Sequence, residues 1–259
     1  MKETKSTSQH AASLWLRCYR TGPPEAMRLV VFPHAGGSAS YYREFCATLS
    51  DRFNTFAMQY PGRQDRRHEP SPTDLHTLSD QLFDELKGFI DRPMAFFGHS
   101  MGAVLAFEVA RRFEQRLSHP LEMLFVSGRR ASTQPRDEAI DPANDDDLLA
   151  EIQKLSGTDP RLLGYEDMLH MILEPLRADY LALNSYTSAP TPVLRTPITA
   201  LTGAADPRTT KAEANAWRDR TTGPFDLCVF PGGHFFVREH HEAVTTFVAE
   251  KLSSLQSAP

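Results

Sequence analysis

The chain has 259 residues, of which 41% are hydrophobic and 24% are charged, enough apolar material for one large α/β domain or two small ones. Its formal net charge of −5 argues against a nucleic-acid-binding protein. The cysteines lie far apart without C-x-x-C spacing, so they predict neither a disulfide framework nor a zinc site: Cys18, Cys46 and Cys228.

The N-terminal segment is polar and has no apolar stretch of the kind found in secretory signals. No run of 18 apolar residues follows it anywhere in the chain, so we expect no membrane span and a cytoplasmic protein. Residues 1–12 and 253–259 are predicted to be flexible termini.

Short apolar runs alternate with helical patterns, which predicts a mostly parallel sheet flanked by helices, an α/β fold. An early edge strand is expected within residues 14–20. The other predicted strands are, in chain order, Arg28–Phe32, Asn54–Met58, Met94–Phe97, Met123–Ser127, Pro197–Thr202 and Asp226–Phe230.

The helices predicted between these strands have one apolar face each. One is expected over residues 40–49, and another begins at Ser71-Pro72, where Ser71 would be the N-cap. The apolar residues of this second helix recur every three or four positions: Leu75, Leu78, Leu82, Leu86 and Ile90. A third helix follows Ser100, and the last begins near His240.

Nearly seventy residues separate the strand ending at Ser127 from the one beginning at Pro197, far more than a simple crossover requires. Helical patterns fill this segment at Asp146–Leu155 and Asp167–Tyr186, the second interrupted at Pro175. We interpret residues 131–186 as a helical lid inserted into a core made of residues 13–130 and 187–252. An ordinary helical subdomain without a gating role is the alternative.

The segment Gly98-His-Ser-Met-Gly102 lies between a predicted strand and a predicted helix. Strand, G-x-S-x-G and helix are the context of a nucleophile elbow, in which small residues flank a serine on a very sharp turn. The alternative is a chance match in a loop, which the flanking elements make improbable. Ser100 is therefore the predicted nucleophile.

A serine hydroxyl is a poor nucleophile at neutral pH and needs a base within hydrogen-bonding reach. In this fold the acid and the base follow the serine in that order, each on a loop after a strand. His234 fits the base, because it lies between the last strand and the last helix and two glycines precede it. His99, adjacent to Ser100, is interpreted as structural.

Asp206, followed by Pro207, lies where a predicted strand passes into a loop, and it is the predicted partner that holds His234 in the required tautomer. Asp179 and Asp226 are rivals, but the first lies in the proposed lid and the second begins a strand. A solvated Asp-Pro turn remains the alternative for Asp206.

An oxyanion hole needs two N–H donors. One is predicted at the backbone of Met101, the residue after the nucleophile. The other is predicted at Ala35, in the glycine-containing loop of residues 32–38. The same loop could instead be a simple turn before the helix over 40–49. It lacks the G-x-x-x-x-G-K pattern of a phosphate-binding loop.

Three motifs together resemble the type II (stand-alone) thioesterases of polyketide and nonribosomal peptide pathways: Pro33-His-Ala-Gly-Gly37, Gly98-His-Ser-Met-Gly102 and Pro231-Gly-Gly-His-Phe-Phe236. The matching segments extend over about residues 28–250. They also include Gln59–Arg63, Glu69-Pro70, Val126–Arg130, Leu176–Tyr180 and Ala216-Trp217.

This resemblance implies an α/β-hydrolase fold and hydrolysis of mis-primed or stalled acyl groups from the phosphopantetheine arm of an acyl or peptidyl carrier protein. It places nucleophile, acid and base on Ser100, Asp206 and His234, and the oxyanion donors on Ala35 and Met101. We expect no metal and no organic cofactor, a transient complex with the carrier protein, no nucleic-acid or membrane partner, and a monomer.

Docking of an acidic carrier protein would require a local basic patch. The candidates are Arg63, Arg66, Arg67, Arg129 and Arg130, which could equally be solvated loop charges. Apolar lid residues could line an acyl pocket or simply pack the lid: Leu149, Leu169, Ile172, Leu173 and Leu176. A carboxylesterase or lipase-like hydrolase and a catalytically inactive α/β-hydrolase scaffold are the alternative functions.

Overall fold

A computed structural model of the protein describes residues 13–131, 140–155, 166–188 and 194–256. Within these ranges seven strands form one sheet in the order β1-β3-β2-β4-β5-β6-β7. Every neighbouring pair is parallel except β1 and β3, so the predicted mostly parallel sheet is confirmed. The strands are β1 Leu16–Arg17, β2 Arg28–Phe32, β3 Asn54–Met58, β4 Met94–His99, β5 Met123–Ser127, β6 Ile198–Gly203 and β7 Phe225–Phe230.

Helices cover both faces of this sheet. They are α1 Arg43–Leu49, α2 Leu75–Leu86, α3 Met101–Leu117, α4 Asp145–Leu155, α5 Glu166–Ser185, α6 Lys211–Asn215, α7 Phe236–Glu239 and α8 His241–Gln256. Because side chains alternate along a strand, each central strand contributes to two cores. Val30 of β2 packs with α2 and α3, whereas Val31 packs with α1 and α8.

Helix α2 begins three residues later than the sequence predicts. Asp74 is its N-cap: its backbone is extended and its side chain accepts a hydrogen bond of 2.7 Å from the Thr77 N–H. Ser71 lies in the preceding loop, with its hydroxyl against Gly62. The helix ends at Leu86, and a short 3₁₀ turn over Lys87–Phe89 buries Phe89 and leaves Ile90 exposed, contrary to the predicted apolar face.

Helices α4 and α5 occupy the predicted insertion. Helix α5 continues through Pro175 instead of breaking there. Proline removes one intrahelical hydrogen bond, but buried residues on both sides of Pro175 pack against α4. Together the two helices form an apolar cluster of their own, made of Leu148, Ile152, Leu173 and Leu176.

The structure describes only part of the two segments predicted to be flexible termini. Residues 1–12 and 257–259 lie outside the described ranges. Residues 253–256, however, belong to α8, whose buried side chains Val244, Val248 and Leu252 continue one face of the helix up to this point. Among the described residues there is no helix long and apolar enough to cross a membrane.

Candidate active site

Ser100 lies between β4 and α3, on a turn whose backbone angles are φ 55° and ψ −117°. A side chain at either flanking glycine would collide with backbone: a Cβ on Gly98 would lie 2.2 Å from the Gly102 oxygen, and one on Gly102 would lie 1.9 Å from the Phe32 oxygen. The Ser100 N–H donates to the Ser127 oxygen at 2.8 Å. The elbow therefore exists only because both glycines allow it.

His234 and Asp206 meet at the carboxyl ends of β7 and β6. Both carboxylate oxygens of Asp206 lie 3.0 Å from His234 Nδ1, and the two side chains are buried. A carboxylate accepts hydrogen bonds, so Nδ1 carries the proton and Nε2 is left with a free lone pair. The rival carboxylates lie elsewhere: Asp179 pairs with Arg63, and Asp226 pairs with Lys251.

The two loops that hold this pair are tied to each other through their backbones. The Ala204 N–H donates to the Phe230 oxygen at 2.8 Å, and the Ala205 N–H donates to the Gly232 oxygen at 2.9 Å. The loop after β6, residues 204–210, is called the acid loop below because it carries Asp206. The Arg208 N–H closes it by donating to Asp206 Oδ1 at 2.8 Å. The relative placement of Asp206 and His234 is thus fixed by main-chain contacts.

Ser100 and His234 line one cavity together with His34, Ala35 and Phe235. Within the described part of the chain, no hydrogen bond joins the Ser100 hydroxyl to His234. Catalytic hydrogen bonds are often long or poorly aligned before substrate binds. Helices α4 and α5 close the opposite side of the cavity.

In the loop after β2, some backbone N–H groups have hydrogen-bond acceptors in the described structure and others do not. Gly36 donates to Asp179 Oδ2 at 2.7 Å, and Gly37 donates to the His34 oxygen at 2.9 Å. Among the described residues, the Ala35 N–H has no acceptor, and Ala35 lines the cavity. Met101 is the first residue of α3, and the first N–H groups of a helix have no intrahelical acceptor.

Two further histidines are buried at the site: His34, which lines the cavity, and His99, which precedes Ser100. His34 Nδ1 lies 3.0 Å from the Tyr42 hydroxyl, and His99 Nδ1 lies 2.9 Å from Ser127 Oγ. Burial, reinforced by His234 and Arg63, lowers the pKa of His34 to about 3. Burial also holds the pKa of His99 well below its ordinary value. Both rings are therefore neutral at physiological pH.

The helices over the cavity contribute both apolar and polar groups. Of the predicted acyl-pocket residues, Ile172 and Leu176 line the cavity, whereas Leu149, Leu169 and Leu173 pack within the cluster formed by α4 and α5. The sequence did not single out Glu151, which lines the cavity beside Tyr180 and forms an ion pair with Arg208 of the acid loop. The Tyr180 hydroxyl donates to Glu151 Oε1 at 3.2 Å.

The predicted basic patch is wrong for two of its five arginines. Arg63 is buried against Asp179, and Arg66 is buried with its guanidinium 4.0 Å over the Trp15 ring and paired with Glu69. Arg67 is exposed; Arg129 and Arg130 are half-buried, and burial lowers the pKa of Arg129 to about 10. Opposite charges far apart in sequence, such as Arg63 and Asp179, cannot be paired from a single sequence.

Comparison with known proteins gives consistent results. A family model described as a thioesterase domain matches residues 27–252. The probable cadicidin biosynthesis thioesterase of Streptomyces griseus is 47% identical over 98% of this chain and 70% of its own length. Thioesterase PikA5 of Streptomyces venezuelae is 40% identical over 96% of this chain and 89% of its own length.

Solved structures show the same similarity. The type II thioesterase BorB from the borrelidin biosynthetic cluster superposes with a TM-score of 0.86 at 45% identity, covering 93% of this chain and 98% of its own. The type II thioesterase YbtT from the yersiniabactin pathway superposes with a TM-score of 0.84 at 28% identity, covering 93% and 99%. These neighbours have the α/β-hydrolase fold that the sequence predicts for this chain.

Proposed function

This chain belongs to the thioesterase family, and from that premise we propose that it hydrolyses acyl thioesters carried on the phosphopantetheine arm of acyl or peptidyl carrier proteins in a polyketide or nonribosomal peptide pathway. The observation that carries the proposal is the arrangement of Ser100 on its elbow and the His234–Asp206 pair around one cavity. The names of the relatives, which are biosynthesis thioesterases, supply the substrate class.

In the proposed reaction Ser100 Oγ attacks the thioester carbonyl and passes its proton to His234 Nε2. Asp206 stabilises the resulting imidazolium through Nδ1. The thiol of the pantetheine arm leaves with the proton from His234, and the acyl group stays on Ser100. A water molecule, deprotonated by His234, then releases the free acid and restores the serine.

The carbonyl oxygen becomes negatively charged in both tetrahedral intermediates and needs N–H donors beside the nucleophile. We assign this role to Ala35 and Met101. Support comes from the loop after β2, where the N–H groups of Gly36 and Gly37 are already engaged, whereas that of Ala35 has no acceptor among the residues that the structure describes. Nucleophile, base and oxyanion donors all come from this chain, so the proposed reaction needs no metal and no organic cofactor.

The acyl groups removed in this role are those that block a carrier protein, namely mis-primed or stalled ones. We propose that the carrier protein binds transiently, that the enzyme acts as a monomer, and that it works in the cytoplasm. The three cysteines are unpaired, which fits a reducing compartment.

The test is hydrolysis of an acyl group from a loaded carrier protein, compared with an oxygen ester of the same acid. Ser100→Ala should abolish hydrolysis because it removes the nucleophile, while circular dichroism and thermal unfolding stay as in the wild type. Release of acid should be monitored by mass spectrometry of the carrier protein over a panel of acyl chain lengths.

Wild-type-like turnover by the Ser100→Ala variant would end the proposed mechanism. Preference for the oxygen ester over the carrier-bound thioester would favour a carboxylesterase or lipase. Failure of a fluorophosphonate to label Ser100 would favour an inactive scaffold.

A further inference from the structure

Two of the motifs that resemble the thioesterase family lie outside the catalytic residues, and the structure brings them together. The first, Gln59–Arg63, follows β3, and the second, Leu176–Tyr180, lies in α5. They meet in an ion pair between Arg63 Nη2 and Asp179 Oδ2, whose side chains are 2% and 1% exposed. A buried ion pair is costly to assemble, so its position next to the cavity calls for an explanation.

The Asp179 carboxylate has a second partner in the loop after β2. Its Oδ2 accepts the Gly36 N–H at 2.7 Å. Gly36 has φ +70°, and a Cβ at this position would lie 3.0 Å from Leu176 Cδ1. The same turn of α5 therefore packs on Gly36 with one side chain and binds its N–H with another.

The rest of this loop is held by the Gln59–Arg63 motif. The Tyr60 hydroxyl donates to the Pro33 oxygen at 3.3 Å, before the glycines, and Gln59 Oε1 accepts the Ala39 N–H at 2.9 Å, after them. Both ends of the loop are thus fixed from the core. The middle of the loop, next to the proposed oxyanion donor Ala35, is hydrogen-bonded to α5.

We propose that Asp179 is a positioning residue for the oxyanion hole, and that it aligns the Ala35 N–H only when α5 is seated over the cavity. The inference rests on the proposed function, because it takes Ala35 as an oxyanion donor. Binding of the Gly36 N–H by Asp179 fixes the peptide plane between Ala35 and Gly36. The preceding peptide carries the Ala35 N–H, and Ala35 lines the cavity together with Ser100, so this restraint limits the directions in which that N–H can point.

Withdrawal of α5 would break both contacts at once. The Gly36 N–H would lose its acceptor, and the Arg63 guanidinium would remain in the interior without its counter-charge. An unpaired buried charge is strongly unfavourable, so Arg63 favours the seated position of α5. Closure of α5 over an acyl group and alignment of the Ala35 N–H in the oxyanion hole therefore occur together.

The experiment compares the wild type with Asp179→Leu, which keeps a side chain of similar size and removes both the charge and the acceptor of the Gly36 N–H. We expect kcat on a carrier-bound thioester to fall on the order of 10²-fold, the effect of losing a well-placed oxyanion donor. Affinity for an acyl boronic acid, which forms a tetrahedral adduct with the serine, should fall by a similar factor. Affinity for the carrier protein loaded with a non-hydrolysable thioether analogue should stay within threefold.

Glu108→Leu is the matched control. Glu108 is a fully buried carboxylate in α3, paired with Arg112 and Arg111. Its other polar contacts among the described residues are with His76 and Tyr186, outside the loop after β2. Its replacement also removes a buried charge, and it should destabilise the fold but leave kcat within threefold of the wild type. A purely structural role of Asp179 would make the two variants behave alike.

A double variant, Arg63→Met with Asp179→Leu, covers the case in which Asp179→Leu alone does not fold because Arg63 is left unpaired. It leaves no unpaired buried charge, and it still removes the acceptor of the Gly36 N–H, so the same loss of kcat is expected. The proposal is overturned if the folded variant keeps kcat within threefold, if the boronate and the thioether analogue lose affinity equally, or if Glu108→Leu loses as much kcat. Failure of the proposed function is distinguishable, because the wild type would then be inactive or Ser100→Ala would be active.

Discussion

Ser100 is one of three non-glycine residues with positive φ in the described ranges, beside Gln64 and Ser118. Such a conformation costs about 1–3 kcal/mol and persists only where the surroundings impose it. Here Gly98 and Gly102 provide the space, and the hydrogen bond to the Ser127 oxygen holds the turn. In this conformation Ser100 lies at the end of β4 and lines the cavity.

Asp206→Asn tests the acid at the same scale. An amide at this position can donate to His234 Nδ1 and favour the tautomer with its proton on Nε2, which cannot accept the serine proton. We expect kcat to fall by about 10⁴-fold with little change in stability. Steady-state kinetics on a carrier-bound thioester measure the effect.

Asp226→Asn is the control for this substitution. Asp226 is exposed and pairs with Lys251 at the start of β7, and its replacement should leave kcat within threefold. A loss at Asp226 as large as that at Asp206 would mean that the acid has been assigned to the wrong carboxylate.

At the scale of single elements, the start of α2 shows that packing, and not only local capping preference, determines where a helix begins. Ser71-Pro72 has the residue types of a helix start, but the Ser71 hydroxyl lies against Gly62 and the helix begins only after Asp74, whose backbone is extended. Packing of the preceding loop therefore prevails over local capping preference.

Asp74→Ala should lower the free energy of unfolding by about 1 kcal/mol, because it leaves the Thr77 N–H without its acceptor. Ser71→Ala, the matched control, should change it by less than about 0.5 kcal/mol. Urea denaturation followed by circular dichroism distinguishes the two. Equal losses would show that Ser71 also stabilises the start of the helix.

At the scale of the whole molecule, parallel strands explain why remote residues meet. The carboxyl ends of β2, β4, β6 and β7 open at one edge of the sheet, and ligands of open α/β sheets bind at such edges. The loops that follow these strands supply Ala35, Ser100, Asp206 and His234. Helices α4 and α5 then cover this edge.

A buried histidine at this edge of the sheet, His34, makes the free energy of unfolding depend on pH. His34 has an ordinary pKa of 6.5 and a folded pKa of about 3, because it is buried. Between these values the unfolded chain binds a proton that the folded protein does not. The free energy of unfolding therefore falls as the pH falls, by about 1.4 kcal/mol per pH unit for such a histidine once the pH is well below 6.5.

His34→Gln removes this contribution and can keep a hydrogen bond to Tyr42. Between pH 5.5 and 4.5 we expect the slope of unfolding free energy against pH to decrease by about 1.4 kcal/mol per pH unit. Urea denaturation at several pH values measures the slope. His68→Gln, at an exposed position, is the control, and a wild-type slope in His34→Gln would contradict the burial argument.

The sequence predicts the strands closely because buried parallel strands are short apolar runs with clear breaks. The G-x-S-x-G motif and its flanking elements likewise point to Ser100, and chain order points to Asp206 and His234. The boundaries of α2, the continuity of α5 through Pro175 and the burial of Arg63 were not predicted. Each of these depends on contacts with residues distant in the chain, which local patterns do not contain.

The sequence by itself determined the family, the parallel sheet and the residue types needed for acyl transfer, since local periodicity and short motifs encode them. Only the tertiary structure decided which charges are buried together. It joined Asp179 of α5 to Arg63 and to the Gly36 N–H, and Glu151 of α4 to Arg208 of the acid loop. The physical reason is that the cost of burying a charge depends on the partner that folding brings beside it.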